Sequence, residues 1–291
     1  VFITAIIYCG LQAKFDLVEG SGHIYWFPAW ILAKIKRKKG IAFVADIADQ
    51  SLSPYLSSWT FFLVQAMQNL ILKFPWNLYV CISVTVRNKL IKMGIPKNKI
   101  QILYCGTEVI SIKKLKVSKN HQKIICVSRL VNYKRVEDLI RALKLVKEKI
   151  PQARLEIIGI GDEIVSLKKL VNDFQLTDRV HFLGFVPSQI QVWRKIKSAE
   201  IFCLPSEVEG FGIATVEAMA AGVPAVLANI QINREITHSL GSLFFKPYDV
   251  NGLSRQLILL MTNAKVYKKL VKETKIVSSI YTWPKVAART Q

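Results

Sequence analysis

SEVEGFGIATVEAMAAGVP runs from Ser206 to Pro224. An apolar run, Ala199 to Leu204, precedes it and another, Ala225 to Ala228, follows, so the stretch reads as strand, loop, helix and strand. Gly210 and Gly212 let the backbone approach a ligand without a Cβ in the way. The free amides where the helix begins, near Ile213, form an anion site. Pyrophosphate fits such a site. Glu209 stands in the loop before it and Glu217 on the helix, so the two carboxylates can bracket a ligand, one near a sugar and one near ribose hydroxyls. Glu217 is followed by the apolar Ala218 to Ala221 and so sits at the seam of a buried helix, where an acid needs a partner.

Working outward, the same alternation covers residues 124–228. Strands are expected at Ile124–Val127, Arg154–Ile158, Val180–Leu183, Ala199–Leu204 and Ala225–Ala228. Helices are expected at Val136–Lys149, Ile164–Phe174, Ser188–Lys195 and Ile213–Ala221. Each strand is short and apolar and is separated from the next by one helix, which predicts a doubly wound parallel α/β sheet buried on both faces. The first hundred residues repeat the pattern less cleanly. Strands are expected there at Phe15–Val18, Ala42–Ile47, Tyr79–Ser83 and Ile100–Tyr104, and helices at Ile31–Lys38 and Val84–Met93. The expected organisation is a partial first domain over 1–110, a polar and basic linker over 111–122, a second domain over 123–275, and a terminal segment, 276–291, that returns toward the first domain.

In such sheets ligands lie off the carboxyl ends of the strands. There Arg129 follows the first strand of the second domain with Lys134 five residues on, two cations suited to a diphosphate that gains charge as its bond to a sugar breaks. In a basic protein the same pair is also ordinary surface. Gly159-Ile160-Gly161-Asp162 lacks the third glycine of a dinucleotide fingerprint and reads as a tight turn, with Asp162 capping the next helix. Gly184-Phe185-Val186-Pro187 ends another strand, and Phe185 or Val186 offers a base a surface to lie against.

Composition bounds the rest. An apolar content of 51% over 291 residues excludes a disordered or fibrous chain. Mean hydropathy is +0.28, yet no run reaches the roughly 18 apolar residues of a membrane span. Val1 to Leu11 is too short, and Trp59 to Val86 is broken by Gln65, Gln68, Asn69, Lys73, Pro75 and Asn77, so the latter reads as core helix followed by core strand. No signal peptide is visible, which makes a cytoplasmic protein the default. Five cysteines without CxxC or metal spacing read as reduced core residues. The net charge is +21; residues 1–120 carry 16 Lys and Arg against 5 Asp and Glu. Such a field draws phosphate-rich partners, and a solvated lysine surface accounts for it equally well.

Taken together these elements resemble glycosyltransferase family 4, retaining enzymes of the two-domain GT-B fold. Glu209 and Glu217, with seven residues between them, match its two-glutamate motif within EGFG, apolar residues, EAMA, G and P. Arg129 and Lys134 match its phosphate-binding loop, Gly184-Phe185-Val186 its FLGxV element, and Ser83, Gly94 and Lys99 to Gly106 the end of its first domain. The likeness is strong from about 79 to 284. It implies a donor held in a cleft between two Rossmann-like domains, mostly by the second. Arg129 and Lys134 would neutralise the diphosphate, Glu209 with the amides of Phe211, Gly212 and Ile213 would hold sugar and phosphate, and Glu217 would bind the ribose. Gly210, Phe185 and Val186 complete the implied donor site. The sugar would pass to an acceptor hydroxyl of a glycan or a lipid-linked glycan, with retention and without a metal or other cofactor; no Asp-x-Asp is present to hold one.

Three departures qualify the resemblance. The chain starts at Val1 inside what the family places as a later helix, so part of the first domain is expected to be absent. Ala48 stands where the family often has histidine, which leaves Asp49 but no histidine base. Cys105 replaces the usual asparagine before Gly106. A non-catalytic nucleotide-sugar-binding subunit is therefore the main alternative. An epimerase or phosphorylase of the same architecture lacks evident acid/base or cofactor-lysine candidates, and nucleic-acid binding rests on charge alone. Under the transferase reading, the cluster Lys34, Lys36, Arg37, Lys38 and Lys39 beside Tyr25, Trp26, Phe27 and Trp30 suits peripheral docking on an anionic membrane.

Overall fold

A computed structural model describes residues 10–49, 53, 55 and 57–288. Cys9 and most of the opening Val1 to Leu11 run lie outside the described residues, as do 289–291. The chain forms two compact units that meet in sequence between Tyr104 and Cys105.

The first unit carries a parallel sheet of four strands, β1 (Leu17–Ser21), β2 (Lys39–Val44), β3 (Leu78–Cys81) and β4 (Ile100–Ile102), ordered 1-2-3-4. The strands at Phe15–Val18 and Ala42–Ile47 are shifted by two to three residues, and the helix expected at Ile31–Lys38 runs instead over His23–Ile35. Its early start places Pro28 inside the helix, where proline normally ends one. Burial of Trp26, Ala29, Leu32 and Ala33 offsets that lost backbone bond, and the Trp26 indole donates to the Phe43 carbonyl at 3.0 Å. Ser83 caps the helix Val84–Lys92 by accepting from the Val86 amide at 3.0 Å.

The helix Ser58–Leu72 corrects the expectation of a core helix. It buries its polar Gln68, only 2% exposed, whose Oε1 accepts from the Ala48 amide at 2.9 Å and also meets His23 Nε2 at 3.0 Å. Trp59, Phe62, Leu63, Met67 and Leu70 face solvent, with Trp59 69% and Phe62 62% exposed. Of its apolar residues only Ile71 and Leu72 are buried with Gln68, and hydrophobicity along the tract does not distinguish them from the exposed ones.

The second unit holds six parallel strands: β5 (Asn120–Val127), β6 (Arg154–Ile158), β7 (Val180–Gly184), β8 (Ala199–Leu204), β9 (Ala225–Ala228) and β10 (Ser242–Phe245), in the order 10-9-8-5-6-7. The helix Val136–Lys149 shows why it forms. Val136, Leu139, Ile140, Leu143 and Val146 recur at helical spacing and are all buried, each aliphatic side chain contributing roughly 1.5–3 kcal/mol. The basic stretch read as a linker over 111–122 takes in the end of the helix Val109–Lys114, whose Val109 and Ile112 are buried, and the beginning of β5. At the far end the Thr107 amide donates to the Tyr281 carbonyl at 2.8 Å, within the same unit. Cys81, Cys126 and Cys203 are buried thiols and Cys105 is half-buried; burial pushes the Cys126 thiol up to about 12.

The strand order sets where a ligand can lie. The chain leaves β5 toward β6 and β7 and then returns to lay β8 on the other side of β5, so the loops after β5 and β8 diverge from a topological switch point. The β5 and β6 loops are locked to each other: Ser128 and Leu130 amides donate to the Ile158 and Ile160 carbonyls at 3.1 and 2.9 Å. Gly159, at φ +142°, lies so close that a Cβ there would stand 1.8 Å from the Ser128 carbonyl oxygen. Asp162 does not cap the following helix, Ile164–Asp173; Glu163 holds the cap position without a side-chain bond.

Gly159→Ala is therefore expected to destabilise the protein by about 3 kcal/mol or more, through clash and backbone strain together. Gly184→Ala, at φ +65° with nothing within 4 Å, is expected to cost about 1 kcal/mol. Urea denaturation of the two variants measures the difference.

Candidate functional site

The loop after β5 carries Arg129 and enters a short turn, Asn132–Lys134; the loop after β8 runs from Pro205 to Gly212. They are tied together across the switch point. Lys134 Nζ lies 2.6 Å from Glu209 Oε1 and donates to the Val208 carbonyl at 3.1 Å. The Glu207 amide donates to the Tyr133 carbonyl at 3.0 Å. Lys134 is only 8% exposed, so its charge relies on these acceptors. The two cations predicted from spacing thus differ: Lys134 is buried and paired with the predicted Glu209, while Arg129 is exposed and donates to the Tyr133 hydroxyl.

The β8 loop delivers its chain to the helix Ile213–Ala220 through Gly212, at φ +82°, a left-handed conformation that glycine adopts without strain. No side chain caps this helix. The amides of Ile213 and Ala214 take no partner among the described residues, which leaves the positive end of the helix open.

Beside this helix start a cavity of about 430 Å³ extends over the carboxyl ends of β5, β6 and β7. Ser128 and Arg129, Gly159 and Ile160, and Phe185 and Val186 line it from the three loops, with Ile213, Ala214 and Glu217 from the helix. Of the residues expected from sequence, the cavity brings together Arg129, Phe185, Val186, Ile213 and Glu217. Lys134, Glu209, Gly210, Phe211 and Gly212 are outside its lining, on the adjoining loop. The Phe211 ring is buried edge-on against Tyr281, centroids 5.6 Å apart, so only its backbone is available to a ligand.

Glu217 has the partner its position demanded. Trp193 Nε1 and Gln189 Nε2 both donate to its Oε1, at 2.8 and 2.7 Å, from one face of the helix Gln189–Ser198. Burial holds the Glu217 carboxyl above its ordinary value, and the two donated bonds oppose that shift. The two glutamates therefore have different chemistry: Glu209 is matched to a cation, and Glu217 is a hydrogen-bond acceptor on the cavity wall. Gln189, Trp193 and Tyr133 were not singled out from sequence. The i, i+4 spacing of Gln189 and Trp193, on the helix entered from the β7 loop, is the one signal that points to the first two.

In the first unit Asp49 is not a lone carboxylate. Lys89 Nζ lies 3.1 Å from it and 3.2 Å from Asp46, and Ala48, in the place of the expected histidine, is held through its backbone by Gln68. Among the described residues no group of three or more His, Cys, Asp or Glu side chains is placed to hold a metal ion, and no helix is long and apolar enough to cross a membrane.

The family of glycosyl transferases group 1 matches residues 108–277. The putative colanic acid biosynthesis glycosyltransferase WcaL of Escherichia coli is 35% identical over 146 residues, which cover 47% of this chain and 36% of that protein. The poly(glycerol-phosphate) alpha-glucosyltransferase of Bacillus subtilis is 26% identical over 172 residues, 58% of this chain and 25% of that one. The chain spans from a quarter to about half of the length of the curated relatives it matches. Among solved structures, Anabaena HepE in complex with UDP and glucose superposes with a TM-score of 0.86 at 20% identity, covering 99% of this chain and 79% of that one, a likeness of fold.

Because burial holds the Glu217 carboxyl above its ordinary range, its ionisation costs the folded state more than the unfolded one, and this cost grows as pH rises from the unfolded carboxylate range through the raised folded value. Glu217→Gln keeps an oxygen for both donors and removes the charge. Its melting temperature at pH 7 is expected at or above that of the unmodified protein, with the gap closing below about pH 4. Thermal unfolding across pH measures this; a large loss of stability at pH 7 would contradict it.

Proposed function

The chain belongs to the glycosyl transferases group 1, and we propose that it moves a sugar from a nucleotide-diphosphate donor to an acceptor hydroxyl with retention at the anomeric carbon. The observation that carries this reading is the meeting of the β5 and β8 loops, with the Lys134 and Glu209 pair beside an uncapped helix start and a cavity walled by Glu217.

Each group has work that fits its surroundings. As the bond from the anomeric carbon to the phosphate oxygen breaks, charge gathers on the departing diphosphate. Arg129, Lys134 and the amides of Phe211, Gly212 and Ile213 are the donors that would receive it. Glu209, anchored by Lys134, would hold sugar hydroxyls; Glu217, presenting its carboxylate to the cavity, would accept from the ribose. A base would lie at the other end, against Phe185 and Val186. With two cations and a helix terminus supplying the positive charge, the reaction is proposed to need no metal.

The HepE complex was solved with UDP and glucose, and the two bacterial relatives are named for colanic acid and poly(glycerol-phosphate); these support a nucleotide-sugar donor and an acceptor in glycan, glycolipid or polysaccharide synthesis. Peripheral contact with the cytoplasmic face of an anionic membrane is proposed with it. Support comes from the first unit: Lys34 lies 5.8 Å from the Trp30 ring, Trp30 packs on Phe74 at 4.4 Å, and the neighbouring helix Ser58–Leu72 has no charged residue and an exposed apolar side. Trp26, one of the aromatics counted toward that contact, is buried and takes no part.

Lys134→Ala and Glu209→Ala are each expected to lower turnover of a donor sugar by about a hundredfold or more, with chelator leaving the unmodified enzyme unaffected. Unchanged turnover in both variants sinks the assignment. Donor binding without transfer to any acceptor would instead favour a nucleotide-sugar-binding protein, the reading that Ala48 supports. For the membrane contact, sedimentation with phosphatidylcholine vesicles is expected only when phosphatidylglycerol is included, and is expected to be lost in Trp59→Ser/Phe62→Ser. Equal sedimentation with both vesicle types counts against it.

A further inference from the structure

Tyr133 lies in the turn between the two cations and is joined to both. Arg129 donates through Nη2 to the Tyr133 hydroxyl, and its guanidinium carbon is 5.7 Å from the centre of the ring. The Lys134 ammonium is 5.4 Å from the same ring. The Tyr133 carbonyl accepts from the Glu207 amide, so the residue also fixes the start of the β8 loop.

The two cations depend on it unequally. Lys134 is buried and anchored by Glu209 and the Val208 carbonyl as well. Arg129 is exposed, and its side-chain hydrogen bond and its ring contact both run to Tyr133. A free arginine side chain gives up much rotamer freedom when it is fixed on a phosphate. One already held by a hydroxyl gives up less, and the remaining N–H groups of the guanidinium stay available to a second acceptor.

We propose that Tyr133 is a positioning residue that presets Arg129 for the donor diphosphate, acting through its hydroxyl. This rests on the donor-site reading given above. The ring and the carbonyl are structural elements that phenylalanine would preserve; only the hydroxyl's acceptor role toward Arg129 is removed by Tyr133→Phe.

The test is calorimetric titration of UDP, GDP and ADP into the unmodified protein, Tyr133→Phe, Arg129→Ala, Arg129→Lys and the two combinations with Tyr133→Phe. The unmodified protein is expected to bind at least one of the three nucleotides. Tyr133→Phe is expected to weaken that binding about threefold to tenfold while the melting temperature stays close to the original. In the Arg129→Ala and Arg129→Lys backgrounds the same change is expected to have little further effect, because the group it positions is gone or no longer matched to the hydroxyl. An unchanged affinity for Tyr133→Phe, or an equal loss in the Arg129→Ala background, overturns the proposal. If the unmodified protein binds none of the nucleotides, the donor-site reading itself fails and the proposal falls with it; that failure appears in the first titration, whereas the failure of Tyr133 alone appears only in the variants.

Discussion

The contact between Lys134 and Glu209 is the constraint on which the site depends. Both side chains are nearly enclosed, so neither charge has enough water to stand alone, and each makes the other's burial tolerable. The pair also spans the one place in the sheet where consecutive strands turn away from each other. A parallel sheet that reverses direction leaves a gap between two loops that share no ladder bonds. Here the Lys134 and Glu209 pair, the bond from Lys134 to the Val208 carbonyl and one backbone bond from Glu207 to Tyr133 close that gap, on the loop that leads to the open start of a helix.

How much of this was legible in the sequence depends on the kind of interaction involved. Strands β6, β8 and β9 and the helix Val136–Lys149 fall where apolar periodicity placed them, because local pattern and burial agree there. Arg129, Lys134, Glu209 and Glu217 were legible as loop and helix-start residues at the carboxyl edge of those strands. Their pairing was not. Nothing in the spacing says that Lys134 meets Glu209 while Arg129 meets Tyr133, since both cations lie in the same short segment after β5. The donors to Glu217 were required in principle by its burial, but which residues supply them is decided by how the helix Gln189–Ser198 packs on its neighbour.

The first unit was read less well for a related reason. Pro28 argues locally for a boundary, and the helix passes through it because Trp26 and Leu32 bury surface on either side. In Ser58–Leu72 the sequence offers apolar residues all round the helix and one glutamine on the face that packs. Hydrophobicity alone then has no preferred direction, and the face that packs is the one where Gln68 finds hydrogen-bond partners beside the buried Ile71 and Leu72.

The cavity wall has a further consequence for how such a protein can change. Where the cavity adjoins the β5 and β8 loops several residues have a second obligation: Lys134 and Glu209 to each other, Gly159 to the close approach of the Ser128 carbonyl, Gly212 to the left-handed entry of its helix. Substitution there disturbs folding and chemistry at once. The side chains of Ile160 and Phe185, also on the cavity wall, are exposed. Substitution of these two side chains can therefore change what the cavity rim presents while the paired residues beside it stay fixed, and new rims can arise without a detour through unstable intermediates.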